Sequence, residues 1–139
     1  MSHPSAIALT GFIAWTLLLL IVMEILRVKL VASGQVAATA FTPDNANLSP
    51  FMQRLARAHA NCIESLPVSG GLLLVALVAG HTGITDPLAY TLLAARLLQS
   101  CAHLASSGAL AVNIRFLAFA VQMLIGAYWA LRLLAAMIG

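Results

Sequence analysis

Residues 50–85 read PFMQRLARAHANCIESLPVSGGLLLVALVAGHTGIT, and the two halves of this stretch differ in kind. Ser49 followed by Pro50 is a helix-start signature. The first turns carry Arg54, Arg57, His59, Asn61 and Glu64, whereas Ser65 to Thr85 contains no charge. A hydrocarbon core about 30 Å thick takes roughly 20 apolar residues of helix. The stretch therefore reads as a helix with a polar entrance and a deep half, including Gly70 and Gly71, suited to lipid.

Outward from it, the same length rule cuts the chain into three more pieces, giving helices over 6–30, 50–80, 87–106 and 113–138 of a single unit spanning 1–139. Asp86 and Pro87 are expected to cap the third helix. The first is uncharged until Glu24 and keeps Arg27 and Lys29 at its far end, so it reads as a retained span rather than a cleaved signal peptide. Composition agrees: of 139 residues 62% are hydrophobic and 8% charged, and the mean hydropathy is +1.00. A soluble domain carries about 25% charge. The fold class expected is all-α, an integral membrane four-helix bundle. Seven basic residues against four acidic ones are too few to track phosphates, so no nucleic-acid partner is expected.

The loop after the first helix is polar, with Pro43, Asp44, Asn45 and Asn47, while the other two links are short and imply antiparallel neighbours. Arg27, Lys29, Arg54 and Arg57 flank loop one, Arg115 follows loop three, and loop two has neither Lys nor Arg. The positive-inside rule then puts loops one and three in the cytoplasm. A bacterial inner membrane is the expected location.

Charges at membrane depth cost at least about 2.5 to 3.5 kcal/mol each on insertion scales, so their placement is informative. Arg57, Asn61 and Glu64 are spaced i, i+4, i+7 and form one stripe, with Glu64 about 10 Å deeper than Arg57. Arg96, Gln99 and His103 form a second stripe, spaced i, i+3, i+7. Arg115 opens the expected fourth helix. Several arginines with few acids suit a carboxylate-bearing small molecule, because guanidinium forks bind carboxylates bidentately. The alternative is structural: Glu64 paired with Arg57 or Arg96, and Glu24 with Arg27, as ion pairs that only set helix register. His59 lies across the helix from Arg57 and is expected between helices. No metal site is expected, since His103, His59 and Glu64 lack ligand spacing. Cys62 and Cys101 read as buried small hydrophobes.

The segment Arg57 to Pro67, RAHANCIESLP, resembles the signature of the MAPEG family, Arg-Ala-His/Gln-x-Asn-x-x-Glu followed closely by Pro. These are small four-helix membrane proteins that include microsomal glutathione transferases, prostaglandin E synthase and leukotriene-conjugating synthases. The resemblance extends over essentially the whole chain. It implies a homotrimer that binds glutathione as co-substrate between subunits and, in some members, activates its thiol for attack on a lipophilic electrophile reaching it from the lipid bilayer.

Carried over position by position, the resemblance marks Arg57, Asn61, Glu64, Arg96 and Arg115. Arg57 and Arg96 would hold carboxylates, Asn61 the peptide, Glu64 the glutamyl amine or an arginine, and Arg115 the thiolate. The family's Arg-x-x-His/Tyr-x-x-x-Tyr reads Arg96, Gln99, His103 here, so a histidine stands where the tyrosine hydroxyl would be. Gln99 falls in the glutathione-binding set, and His103 substitutes as a neutral donor or a second positive charge. Ala37 and Ala60 stand where the prostaglandin synthase pattern has arginines. The function expected is a glutathione-dependent membrane transferase or peroxidase. The competing readings are a MAPEG-fold protein without catalysis, or a small four-helix multidrug exporter using Glu24, whose neighbour Arg27 suits a cation exporter badly.

Overall fold

A computed structural model describes residues 3–139 as four helices, α1 (Pro4–Ala32), α2 (Pro50–Ala79), α3 (Thr82–Ala105) and α4 (Ala109–Ile138), with no strand among the described residues. Three of them, α1, α2 and α4, are long and apolar enough to cross a membrane. At 1.5 Å per residue the 24 residues of α3 also span about 36 Å. Its composition is more polar because Arg96, Gln99, Ser100 and His103 are turned inward and buried. That is possible since α3 packs against all three other helices, whereas the backbones of α1 and α4 do not approach closely. The chain is an all-α, four-helix membrane bundle.

Two apolar clusters hold the helices together. Phe12, Leu19 and Met23 of α1 pack on Met52, Leu55 and Cys62 of α2, and Leu73, Ala89, Leu92, Ile125 and Trp129 join α2, α3 and α4. The outward faces are also apolar: Leu18, Ile21, Val78, Leu117, Leu124 and Leu131 are exposed and form the surface that lipid would cover. α2 meets α4 only sparingly, so a cleft opens between them.

Helix ends depart from the sequence reading in instructive ways. Ser49 does cap α2, its hydroxyl accepting the Met52 N–H at 3.3 Å. Asp86 does not cap α3, which starts at Thr82 and carries Pro87 inside it. The Asp86 carboxylate instead accepts the Ser5 N–H at 3.0 Å and the Ser5 hydroxyl, satisfying an orphan donor in the first turn of α1. Pro87 falls early in α3, where it forfeits one bond to the Gly83 carbonyl, and buried Thr85, hydrogen-bonded to Ser5, keeps the extra turn in place. α4 begins at Ala109 rather than 113. Arg115 therefore sits about 9 Å inside α4, beyond the first turn where the helix dipole acts.

Loop one folds over the end of α1. Arg27 donates to Asn45 Oδ1 from Nε at 3.1 Å and from NH2 at 2.6 Å, to the Thr42 carbonyl at 3.2 Å and to Glu24 at 2.9 Å. Asn45 is fully buried, adopts a left-handed φ of 56° and donates to the Met52 carbonyl at 2.7 Å. Short polar side chains tolerate that backbone best after glycine. Nearby, the Thr42 hydroxyl and the Ala46 N–H both donate to Asp44 and hold its carboxyl below the ordinary aspartate range.

Candidate functional site

Three polar side chains predicted to share a site meet at the inner edge of the α2–α4 cleft. Asn61 Oδ1 accepts from NH1 of Arg96 and, at 3.0 Å, from Nε2 of Gln99. The chain continues to a residue not singled out from sequence: Gln99 Oε1 accepts from Gln122 Nε2 at 2.7 Å, and that nitrogen also donates to the Ala118 carbonyl at 3.0 Å. A lone glutamine in the apolar run of α4, seven residues after Arg115, is the signal that identifies it, because intramembrane polar groups face protein interiors.

Arg96 is 1% exposed, lies 5.3 Å over the Phe12 ring, and has no partner at Nε or NH2 among the described residues. It has no carboxylate partner among the described residues. The expected alternative of a Glu64 ion pair with Arg57 or Arg96 is thus not realised within the chain; the one ion pair among the described residues is Arg27–Glu24, at 2.9 Å. Both Glu64 and Arg57 are exposed, Glu64 on the open polar side of the α2–α4 cleft. Glu24 is tied to Arg27 at the mouth of loop one, so it does not stand as the isolated intramembrane carboxylate an exporter would need.

The cleft has a volume of about 320 Å³ and is lined by Asn61, Glu64 and Arg96 at its polar side and by Val68, Phe119 and Met123 at its apolar side, with Gln122 between. Gly126 also borders it, leaving the wall open where a side chain would narrow the passage. The arrangement can hold an anion against Arg96 and an apolar group against α4 in one space.

A second polar pair lies nearer loop three. NH1 of Arg115 approaches Nδ1 of His103 at 2.9 Å. Guanidinium groups only donate, so Nδ1 accepts and the ring N–H sits on Nε2. His103 is buried rather than facing headgroups, and Arg115, Arg57 and Arg96 surround it with positive charge. The neutral form of the two expected for His103 is the one this contact requires. Among the described residues the other N–H groups of Arg115 have no acceptor.

Other residues fall elsewhere. His59 packs between helices with Nε2 buried and unpartnered among the described residues. Arg54 donates to the Leu104 carbonyl at 3.1 Å and closes the end of α3. Cys62 is buried beside Ser100, with Sγ and Oγ 3.4 Å apart, but Cys101 is exposed, contrary to the expectation that both are core residues. Cys101 lies on the face of α3 turned away from the Arg96–Gln99–His103 stripe. No group of three His, Cys, Asp or Glu among the described residues is placed to hold a metal ion.

The fold and this site define a class: a four-helix membrane protein with a buried arginine–amide network opening on a cleft between two helices. The model of the MAPEG family matches residues 5–135, and the chain belongs to that family. No curated protein and no solved structure matches it. Membership makes this a membrane protein of the family associated with glutathione and eicosanoid metabolism.

Proposed function

We propose that the protein is a glutathione-dependent membrane transferase or peroxidase, in which the α2–α4 cleft holds glutathione against Arg96 and Arg115 raises the thiolate fraction. The observation that carries this reading is Arg96: a buried guanidinium with two unsatisfied N–H positions and no carboxylate. An unpaired buried charge is strongly unfavourable, and a ligand carboxylate removes the penalty. Asn61, Gln99 and Glu64 complete the polar side of the site, and Arg57 faces the same stripe from the loop-one end.

A free thiol with a pKa near 8.5 is mostly protonated at neutral pH. Arg115, braced by His103, supplies fixed positive charge that favours loss of the thiol proton to water. The resulting sulfur anion forms a bond to the electrophilic carbon of a lipophilic co-substrate as the bond to that carbon's leaving group breaks and the leaving group departs with its electron pair. Val68, Phe119 and Met123 offer that co-substrate an apolar wall open to the bilayer. Loops one and three would face the cytoplasm, and a homotrimer would cover the outward-pointing Arg57 and Glu64.

A second reading, a MAPEG-fold binding protein without turnover, is favoured by one observation: position 103 offers an imidazole already engaged by Arg115 and no hydroxyl. The test is glutathione titration in mild detergent, followed by ultraviolet absorbance of bound thiolate and turnover with a generic aromatic electrophile. The enzyme reading expects binding, a thiolate band that Arg115→Ala removes while affinity stays nearly intact, and turnover above the uncatalysed rate. Binding with neither thiolate nor turnover establishes the second reading instead.

A further inference from the structure

We propose that the side-chain amide oxygen of Gln122 is a ligand-contacting acceptor that selects molecules carrying an ammonium group beside a carboxylate. This assignment rests on the cleft holding glutathione, and it adds the end by which the tripeptide is recognised.

The orientation of Gln122 is dictated from both ends of its hydrogen-bond chain. Arg96 can only donate, so Asn61 presents its oxygen to Arg96 and Gln99 must donate to that same oxygen. Gln99 then has its own oxygen turned to Gln122, which donates. At the other end the Ala118 carbonyl can only accept, and it too requires the NH2 of Gln122. Both constraints give the chain the same polarity. With its nitrogen committed to Gln99 and Ala118, Gln122 has Oε1 left over. That oxygen is buried, belongs to a residue 4% exposed, and has no partner among the described residues.

An unsatisfied buried acceptor costs about 1 to 3 kcal/mol, and a ligand donor at Gln122 Oε1 removes that cost while Nε2 continues to serve Gln99 and Ala118. The neighbours on the cleft define what satisfies it. Arg96 offers two free donor positions and positive charge, and Glu64 offers an unpaired carboxylate. A ligand with only a carboxylate satisfies Arg96 and leaves Gln122 Oε1 and Glu64 facing no donor. An ammonium has three donors and no acceptor, and placed beside that carboxylate it serves both. In glutathione only the γ-glutamyl end carries both charges on one carbon; the glycine end has a carboxylate alone. The glutamyl end therefore sits at Arg96 and Gln122, with the thiol directed along α4 toward Arg115, about 10 Å away along the helix axis.

The experiment compares glutathione with its deamino analogue, in which hydrogen replaces the glutamyl amine, by calorimetric titration of the detergent-solubilised full chain. Wild-type protein is expected to prefer glutathione by at least about tenfold, the loss typical of a charge-assisted hydrogen bond. Gln122→Leu is expected to weaken glutathione about tenfold and the analogue by less than about twofold. Gln122→Met, unbranched and similar in length, gives the same comparison if the leucine variant does not fold. Equal weakening of both ligands, or no wild-type preference, overturns the role of Gln122 while leaving the glutathione site intact. Failure of wild-type protein to bind glutathione overturns the site itself, and the selection by Gln122 with it.

Discussion

Arg96 brings the conflict between stability and function down to a single side chain. Its guanidinium is buried with one hydrogen bond to Asn61, a contact with the Phe12 face and no counter-charge. A buried charge without a counter-charge carries a desolvation penalty that an apolar group of similar volume does not. Arg96→Met is therefore expected to leave the ligand-free melting temperature unchanged or raised, while glutathione affinity falls by about ten- to a hundredfold. Thermal unfolding in detergent with and without glutathione checks both signs. A large fall in ligand-free stability would mean that Arg96 is chiefly a structural member of the network. Asn45 makes the opposite case, for its side-chain oxygen accepts from Arg27 of α1 and its nitrogen donates to the Met52 carbonyl of α2. Asn45→Ala removes the acceptor of Arg27 Nε and the donor to the Met52 carbonyl, leaves Arg27 its bonds to Glu24 and Thr42, and keeps an unfavourable left-handed backbone. A loss of about 2 to 3 kcal/mol is expected by thermal unfolding, with Asn45→Gly costing less because glycine accepts that φ.

At the scale of elements, α3 departs furthest from its sequence reading. Asp86 next to Pro87 is a sound local start signal, but tertiary contact uses Asp86 to hold the first turn of α1. Asp86→Ala is expected to cost about 1 kcal/mol, the usual scale for losing a cap. The loss should appear as faster amide hydrogen exchange in the first turn of α1, with the first turn of α3 unchanged. Protection lost at α3 instead would restore Asp86 as its cap. The earlier start of α4 matters in the same way: it moves Arg115 from the helix end into the second turn, beside His103. The positive charge offered there is then the arginine's own rather than the helix dipole's.

For the whole molecule, the outward faces of α2 pose the remaining problem. Glu64 is exposed within the apolar span of α2 with no ion-pair partner among the described residues, and Arg57 is exposed two stripe positions away. A lone carboxylate against lipid carries a penalty of several kcal/mol, which a second subunit covering this face removes. A homotrimer is expected, and native mass spectrometry from mild detergent checks it; monomers alone would rule out a shared site. Glu64→Gln should then strengthen or preserve the assembly if the carboxylate is unpaired across the interface, and weaken it if a partner subunit supplies a cation.

What the sequence by itself determined is what depends on composition and local periodicity. The resemblance of the Arg57 to Pro67 signature pointed to the family, while low charge, long apolar runs and the spacing of Arg57, Asn61 and Glu64 and of Arg96, Gln99 and His103 were sufficient for the membrane class, the four helices and two polar stripes. Those properties are set by a hydrocarbon thickness and a 3.6-residue turn, both of which act within one segment. Only the tertiary structure decided which stripe residues meet. It joined Asn61, Arg96 and Gln99, added Gln122 from α4, left Glu64 on the cleft without an ion pair among the described residues, and paired Arg27 with Asn45 across loop one. Periodicity names the face on which a side chain lies, but the partner on the facing helix depends on how α3 is wedged among its neighbours, and that packing is a property of all four helices together.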